Sequence, residues 1–180
     1  DRKPLTDAVV PLCFVMLANP IREGARETFT YFAENGVDIK VISGDNPLTV
    51  SVIATEAGIA GAEKYVDAST KKEKEDYDRA VREYTVFGRV TPNQKRMLVQ
   101  ALKEQKKTVA MTGDGVNDVL ALKDADCSVA MASGSDAASN VAQLVLLDSD
   151  FSHMPSVVAE GRRVVNNIER TASLYIVKNI

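Results

Sequence analysis

Residues 111–122 read MTGDGVNDVLAL, which sets Asp114 between two glycines and Asp118 four positions later, at what reads as the exit of an apolar strand. Two carboxylates this close repel, and the proton affinity of one rises unless a cation sits between them. Mg²⁺ is commonly held by one or two carboxylates together with water and substrate oxygens, and bare glycine backbone leaves room for a phosphate beside it. The competing reading makes both aspartates helix-start residues that accept backbone N–H groups.

Two further stretches carry matching chemistry. Ser43 and Asp45 follow an apolar run in ISGDNP, with Gly44 between them letting a backbone N–H come close to an anion. Alone, that stretch reads equally as an ordinary strand-to-helix turn. Lys95 in RVTPNQKRM falls in the first turn of a helix. A cation there opposes the helix dipole at about 0.3–1 kcal/mol, which a bound anion explains and an exposed, merely tolerated lysine explains too. A hydroxyl, a lysine and a carboxylate pair at three strand ends together describe a phosphoryl-transfer site without its nucleophile.

Positioning such groups requires strands whose carboxyl ends gather on one side, and the chain is patterned for that. Short Val-, Ile- and Leu-rich runs at 9–17, 38–43, 85–88, 108–112, 127–131 and 144–148 alternate with amphipathic stretches. This predicts an α/β fold, a parallel sheet with helices on both faces. Helix starts are marked by Asn19-Pro20, Asn46-Pro47 and Thr91-Pro92, each a polar cap followed by proline. Gln94, three residues after Thr91, completes a capping box, and Gly36 and Gly58 fit helix ends. Residues 60–68 read as a connecting loop, and the highly charged 69–83 as a solvated helix or edge insertion. From Ser152 a helical spacing of apolar residues runs almost to Ile180, becoming more apolar as it goes.

Composition excludes more than it identifies. The 180 residues, 45% hydrophobic and 26% charged, suit one folded domain, and a net charge of −3 with pI near 5.3 supplies no basic field for nucleic acid. Cys13 and Cys127 lie in apolar runs without a CxxC or nearby histidine, and read as packed thiols in a reducing compartment. No signal peptide and no apolar run near the about 18–20 residues of a membrane span is present, so the chain as given is expected to be soluble. MASGSD at 131–136 lacks the Lys-Ser or Lys-Thr of a P-loop, His153 reads as a surface residue, and no G-x-S-x-G elbow occurs.

The strings MTGDGVNDVLALKDADCSVAM, VISGDNPLTVSVIATEAGI and FGRVTPNQKRMLVQALK resemble the phosphorylation domain of P-type cation-transporting ATPases, whose core has the haloacid dehalogenase-like fold. The resemblance runs in order from LANPIREGARETF to EGRRVVNNIERTASLYIVKNI, and its wording is most similar to a bacterial branch with calcium as the implied cargo. It implies that Ser43, Gly44 and Asp45 bind the phosphoryl group and help position the site. By the same resemblance Lys95 neutralises phosphoryl charge, Asp114 ligates Mg²⁺, and Asn117 and Asp118 complete the phosphate and metal environment. Arg22 corresponds to the arginine of the DPxR hinge that contacts nucleotide, where Asn19 replaces the usual aspartate. Ser43 stands for threonine and Ala132 for a glycine.

What the resemblance lacks is equally specific. The family's nucleophile, the aspartate of DKTGT, occurs nowhere in the 180 residues, and neither does the nucleotide-binding domain. The expected organisation is therefore a phosphorylation-domain core at 1–151 and a linker helix at 152–180 leading toward a membrane span. ATP would act through domains absent from this chain, on the cytoplasmic face of the cell membrane. Its partners would be the nucleotide-binding, actuator and transmembrane parts of the same pump, and the transported cation would not bind this chain. A missing nucleophile strand should leave an open sheet edge, which could pair two copies. The alternatives are a free-standing Mg²⁺- and phosphate-binding domain, half of a split phosphatase, or a phosphatase using Asp1 or Asp7.

Overall fold

Parallel pairing organises every strand contact in the computed structural model, which describes residues 12, 13, 15, 20–71 and 73–178. In chain order the elements are α1 Ala25–Glu34, β1 Val41–Ile42, α2 Pro47–Glu56, β2 Tyr65–Asp67, α3 Lys74–Glu83, β3 Val86–Gly88, α4 Pro92–Glu104, β4 Ala110–Gly113, α5 Val119–Asp124, β5 Cys127–Met131, α6 Asp136–Val141, β6 Leu144–Leu146 and α7 Met154–Lys178. They form two three-stranded sheets, ordered β1-β3-β2 and β4-β5-β6. Val41 and Tyr65 both register with Val86, and Met111 registers with Ser128. Among the described residues, β1 and β4 each end a sheet with one unpaired side.

Alternation along the central strands sends side chains to both faces. Phe87 packs with Tyr77, Ala80 and Val81 of α3 and Leu98 of α4, whereas its neighbour Val86 packs with Val50 and Ala54 of α2. In the second sheet Ala130 faces Val99, Ala121, Leu122 and Ala138, and Val129 faces Leu146 and Met154. Adjacent residues of α4 therefore enter different cores: Leu98 the first sheet's and Val99 the second's. On the other side α1 does the same with Phe29 and Phe32. Their rings lie 6.1 and 5.9 Å from that of Phe151, and Arg26 Nη2 donates to the Glu56 carbonyl at the end of α2 at 2.8 Å. Fully burying a side chain such as Leu98 or Val99 contributes about 1.5–3 kcal/mol, and the half-buried Phe29 and Phe32 contribute part of that, so both helices tie the sheets together.

The local signals for two helices hold. The Leu48 N–H donates to Asn46 Oδ1 at 3.0 Å, and Thr91 and Gln94 exchange the reciprocal bonds of a capping box. Gly36 and Gly58 close α1 and α2 with φ of 73° and 84°.

Other expectations are corrected. Asn19 and most of 9–17 lie outside the described residues. The helix expected after Pro20 starts instead at Ala25, because Gly24 adopts φ 79° just before it and Pro20 is irregular. Residues 60–68 contain β2, a strand too short to show a period in sequence but paired along one side of β3. The charged stretch 69–83 contains α3, whose Tyr77, Ala80 and Val81 are buried, so it covers the sheet as well as facing water. Cys13 is exposed, as are its described neighbours Leu12 and Val15, and Cys127 is half-buried. From Ala159 to Val177 every side chain of α7 is exposed, and no helix of the described residues is long and apolar enough to cross a membrane.

α4 is also bound to α5 by charge. Arg96 Nε meets Asp124 Oδ2 at 2.7 Å, Gln100 donates to the same oxygen at 2.6 Å, and Lys103 meets Asp126 at 2.9 Å. The Arg96 hydrogen bond holds Asp124 below its ordinary carboxylate pKa. A depressed folded pKa gives stability that is complete above the unfolded value of about 4 and is lost as pH falls through the lower folded value. Asp124→Asn is therefore expected to lower the urea midpoint at neutral pH and to converge on the parent chain as pH falls through the acid range, measured by denaturation against pH.

Candidate functional site

The segments that follow β1, β3 and β4 at their carboxyl ends carry Ser43, Gly44 and Asp45, then Lys95, then Asp114, Asn117 and Asp118. After β1, Ser43 N–H still donates to the Phe87 carbonyl at 2.9 Å, and then the chain folds back. The Asp45 N–H donates to Ser43 Oγ at 3.1 Å, while that hydroxyl lies 3.2 Å from Asp45 Oδ2. Gly44 is exposed, and a Cβ built there would approach nothing closer than the Val90 carbonyl at 3.9 Å. Packing does not demand the glycine, which leaves its backbone open to an approaching group.

The next loop clamps this one. Arg89 N–H donates to the Asp45 carbonyl at 2.8 Å, and Val90 N–H to the Ser43 carbonyl at 3.0 Å. Arg89 takes φ 52°, uncommon for a side chain with Cβ, and its guanidinium holds Asp67 Oδ2 at 3.0 Å. Hydrogen bonds from Ser69, then the Arg89 charge, hold Asp67 below the ordinary carboxylate pKa. Sequence inspection passed over Arg89 because backbone conformation leaves no mark on residue type.

Lys95, one turn into α4, crosses to the second sheet. Its Nζ lies 2.6 Å from Asp118 Oδ1, with the lysine and aspartate side chains only 14% and 8% exposed. Asp118 Oδ2 accepts the N–H groups of Gly115 at 3.1 Å and Asp114 at 3.3 Å. The carboxylate can come this close because Gly113 has no side chain: a Cβ there would sit 2.6 Å from Asp118 Cβ. The Lys95 ammonium is thus one cation beside Asp118, and the carboxylate also plays the helix-start part weighed from sequence.

Asp114 and Asn117 are exposed beside this pair. The Asp114 carboxylate joins none of the ion pairs among the described residues. Its backbone carbonyl accepts the Ser135 N–H at 2.7 Å, and a Cβ on Gly134 would lie 2.2 Å from that carbonyl oxygen. MASGSD therefore serves as a loop packed on the Asp114 peptide. Arg22 is placed elsewhere, donating to the Ser149 carbonyl beyond β6 at 2.8 Å. His153 is exposed and pairs with Asp148, as a surface residue would.

Among the described residues no group of three or more His, Cys, Asp or Glu is placed to hold a metal. One uncommitted carboxylate, Asp114, does fit Mg²⁺, which takes most of its shell from water and substrate phosphate. An all-protein cage does not fit.

Residues 3–126 match the family model for haloacid dehalogenase-like hydrolases. The chain belongs to that family. This haloacid dehalogenase-like chain is 50% identical over 169 residues to the probable cation-transporting ATPase exp7 of Streptococcus pneumoniae, covering 94% of itself and 22% of that protein. To the calcium-transporting ATPase CtpE of Mycobacterium tuberculosis it is 51% identical over 181 residues, covering 100% of itself and 22% of the relative. It is 37% identical over 175 residues to the endoplasmic reticulum-type calcium-transporting ATPase 3 of Arabidopsis thaliana, covering 92% and 17%. The chain thus spans about a fifth of the length of the curated relatives it matches. Among solved structures, the catalytic domain of the CPx-ATPase CopB-B superposes with TM-score 0.58 and 27% identity over 76% of this chain and 45% of that one. Parallel sheets flanked by helices are thus the fold of an ATPase catalytic domain, as the resemblance implied.

Gly113→Ala is expected to cost about 1–3 kcal/mol, because the new methyl must displace a buried, ion-paired carboxylate. Urea denaturation reads the loss, and the Lys95 side-chain NMR signals should shift with it.

Proposed function

We propose that the chain is the phosphorylation-domain portion of an ATP-driven cation pump. In the whole protein it would help move the γ-phosphoryl of ATP to an aspartate outside these 180 residues, and then help hydrolyse the aspartyl-phosphate. The observation that carries this reading is the buried Lys95–Asp118 pair with the uncommitted Asp114 carboxylate beside it, at the end of a strand whose other side is unpaired among the described residues. The high identity to named cation-transporting ATPases supports it.

Each residue has a part that its surroundings suit. Lys95 is held with its ammonium near the strand ends, where it would offset charge on the equatorial oxygens of the transferring group. Ser43 Oγ and the Gly44 N–H would donate to the phosphoryl oxygens, with Asp45 orienting the hydroxyl it already touches. Asn117 would supply a further donor. Asp114 would hold Mg²⁺, and Asp118 would contribute chiefly by keeping Lys95 and the Asp114 N–H in place. The ion, when bound, would neutralise phosphate charge and help align the reacting oxygens. The reacting carboxylate attacks phosphorus, ADP leaves with the bonding electron pair, and water later cleaves the acyl phosphate.

The sides of β1 and β4 left unpaired among the described residues support placing a further parallel strand, bearing that aspartate, between the sheets that α1 and α4 hold together. Arg22 and Asn19 belong to a hinge toward a nucleotide-binding domain, and α7 is a linker toward a membrane span on the cytoplasmic side. Incubating the 180-residue chain with γ-labelled ATP and Mg²⁺ should leave it unlabelled, while the longer protein containing it acquires an acid-stable, hydroxylamine-sensitive label. Lys95→Met in the longer protein should slow labelling by about 10²–10³-fold. Label on the short chain alone would overturn the assignment.

A further inference from the structure

The Asp114 peptide is gripped from both sides. Its N–H donates to Asp118 Oδ2 at 3.3 Å, and its carbonyl accepts the Ser135 N–H at 2.7 Å. The loop that supplies Ser135 is itself tied down. Ala132 N–H donates to the Leu146 carbonyl at 3.0 Å, Ser133 N–H to Ser149 Oγ at 2.8 Å, and Gly134 N–H to the Met131 carbonyl at 2.9 Å. Ser135 Oγ then caps α6 by accepting the Ala138 N–H at 3.2 Å.

Contact between loop and peptide is as close as backbone allows. A Cβ on Gly134 would lie 2.2 Å from the Asp114 oxygen and 2.9 Å from both its carbonyl carbon and its Cα. No rotamer relieves that clash, because every atom met is backbone. Any side chain at 134 must therefore push the Asp114 peptide away.

We propose that Gly134 and the Ser135 N–H are positioning residues for the Asp114 carboxylate, fixing where it presents its oxygens to a divalent cation. The proposal rests on the reading of Asp114 as a Mg²⁺ ligand. An exposed carboxylate on a freely moving peptide would order itself on each binding event, whereas one on a peptide held at both polar groups is already placed. This explains a small-residue loop that carries no phosphate-binding lysine.

Mn²⁺ serves as the probe, its binding to the full 180-residue chain followed by electron paramagnetic resonance. Ser135→Pro removes the N–H together with the α6-capping hydroxyl, a second loss that Ser135→Ala controls for, and Ser135 already has φ −80°, which proline accepts. Ser135→Pro and Gly134→Ala are each expected to weaken Mn²⁺ binding about tenfold. Ser135→Ala, the conservative variant, keeps the N–H and should keep parental affinity while losing the α6 cap and melting lower. Asp114→Asn should abolish binding. If Asp114→Asn binds Mn²⁺ as the parent does, the underlying reading of Asp114 fails. If that variant loses binding while Ser135→Pro and Gly134→Ala bind normally, the positioning role alone is overturned. Amide exchange in the unmodified chain gives a readout independent of folding by any variant: a slowly exchanging Ser135 N–H supports the proposal, and exchange at the rate of an exposed loop overturns it.

Discussion

The Lys95–Asp118 ion pair joins two sheets that share no strand pairing among the described residues. Lysine comes from the helix that leaves the first sheet, aspartate from the turn that leaves the first strand of the second, and both are nearly excluded from water. A buried pair repays its desolvation only when its remaining hydrogen-bonding capacity is met, and here the second carboxylate oxygen receives two backbone N–H groups. The lack of a side chain at Gly113 is the steric condition for that arrangement. The same contact that links the sheets thereby fixes the peptide from which Asp114 projects.

Apolar packing holds the sheets at a set separation around this pair. α4 inserts consecutive residues, Leu98 and Val99, into the two cores on one face, and α1 inserts Phe29 and Phe32 on the other. Arg26 ties α1 to the end of α2, and the Arg96, Gln100 and Lys103 contacts tie α4 to α5 and the turn after it. Helices thus bridge both faces, and among the described residues β1 and β4 each keep one side unpaired. Ala110 and Thr112 of β4 are exposed, which is uncommon in parallel sheets, whose strands are normally covered on both faces.

Local physics was legible in the sequence, and contact across the chain was not. Asn46 before Pro47, Thr91 with Gln94, and Gly36 and Gly58 each act within four residues, so composition alone located those helix ends. The parallel α/β class was readable for the same reason, from alternating apolar runs. β2 was hidden because three residues make no period, and its partner lies about twenty positions away. Charge masked Tyr77, Ala80 and Val81, although their helical spacing was present. At the site, two aspartates at the right spacing suggested a shared cation. The ammonium that pairs with Asp118 was invisible, because Lys95 precedes it by 23 positions. Gly134 escaped notice because its partner is a backbone carbonyl, which every residue type carries.

A double-mutant cycle on Lys95→Met and Asp118→Asn, read by urea denaturation, tests whether this pair joins the two sheets. Coupling of about 1–3 kcal/mol, with each single variant losing more stability than the double variant's further loss, is the predicted result. Additive losses with no coupling would show that the sheets are held by apolar contacts alone, and would contradict the account.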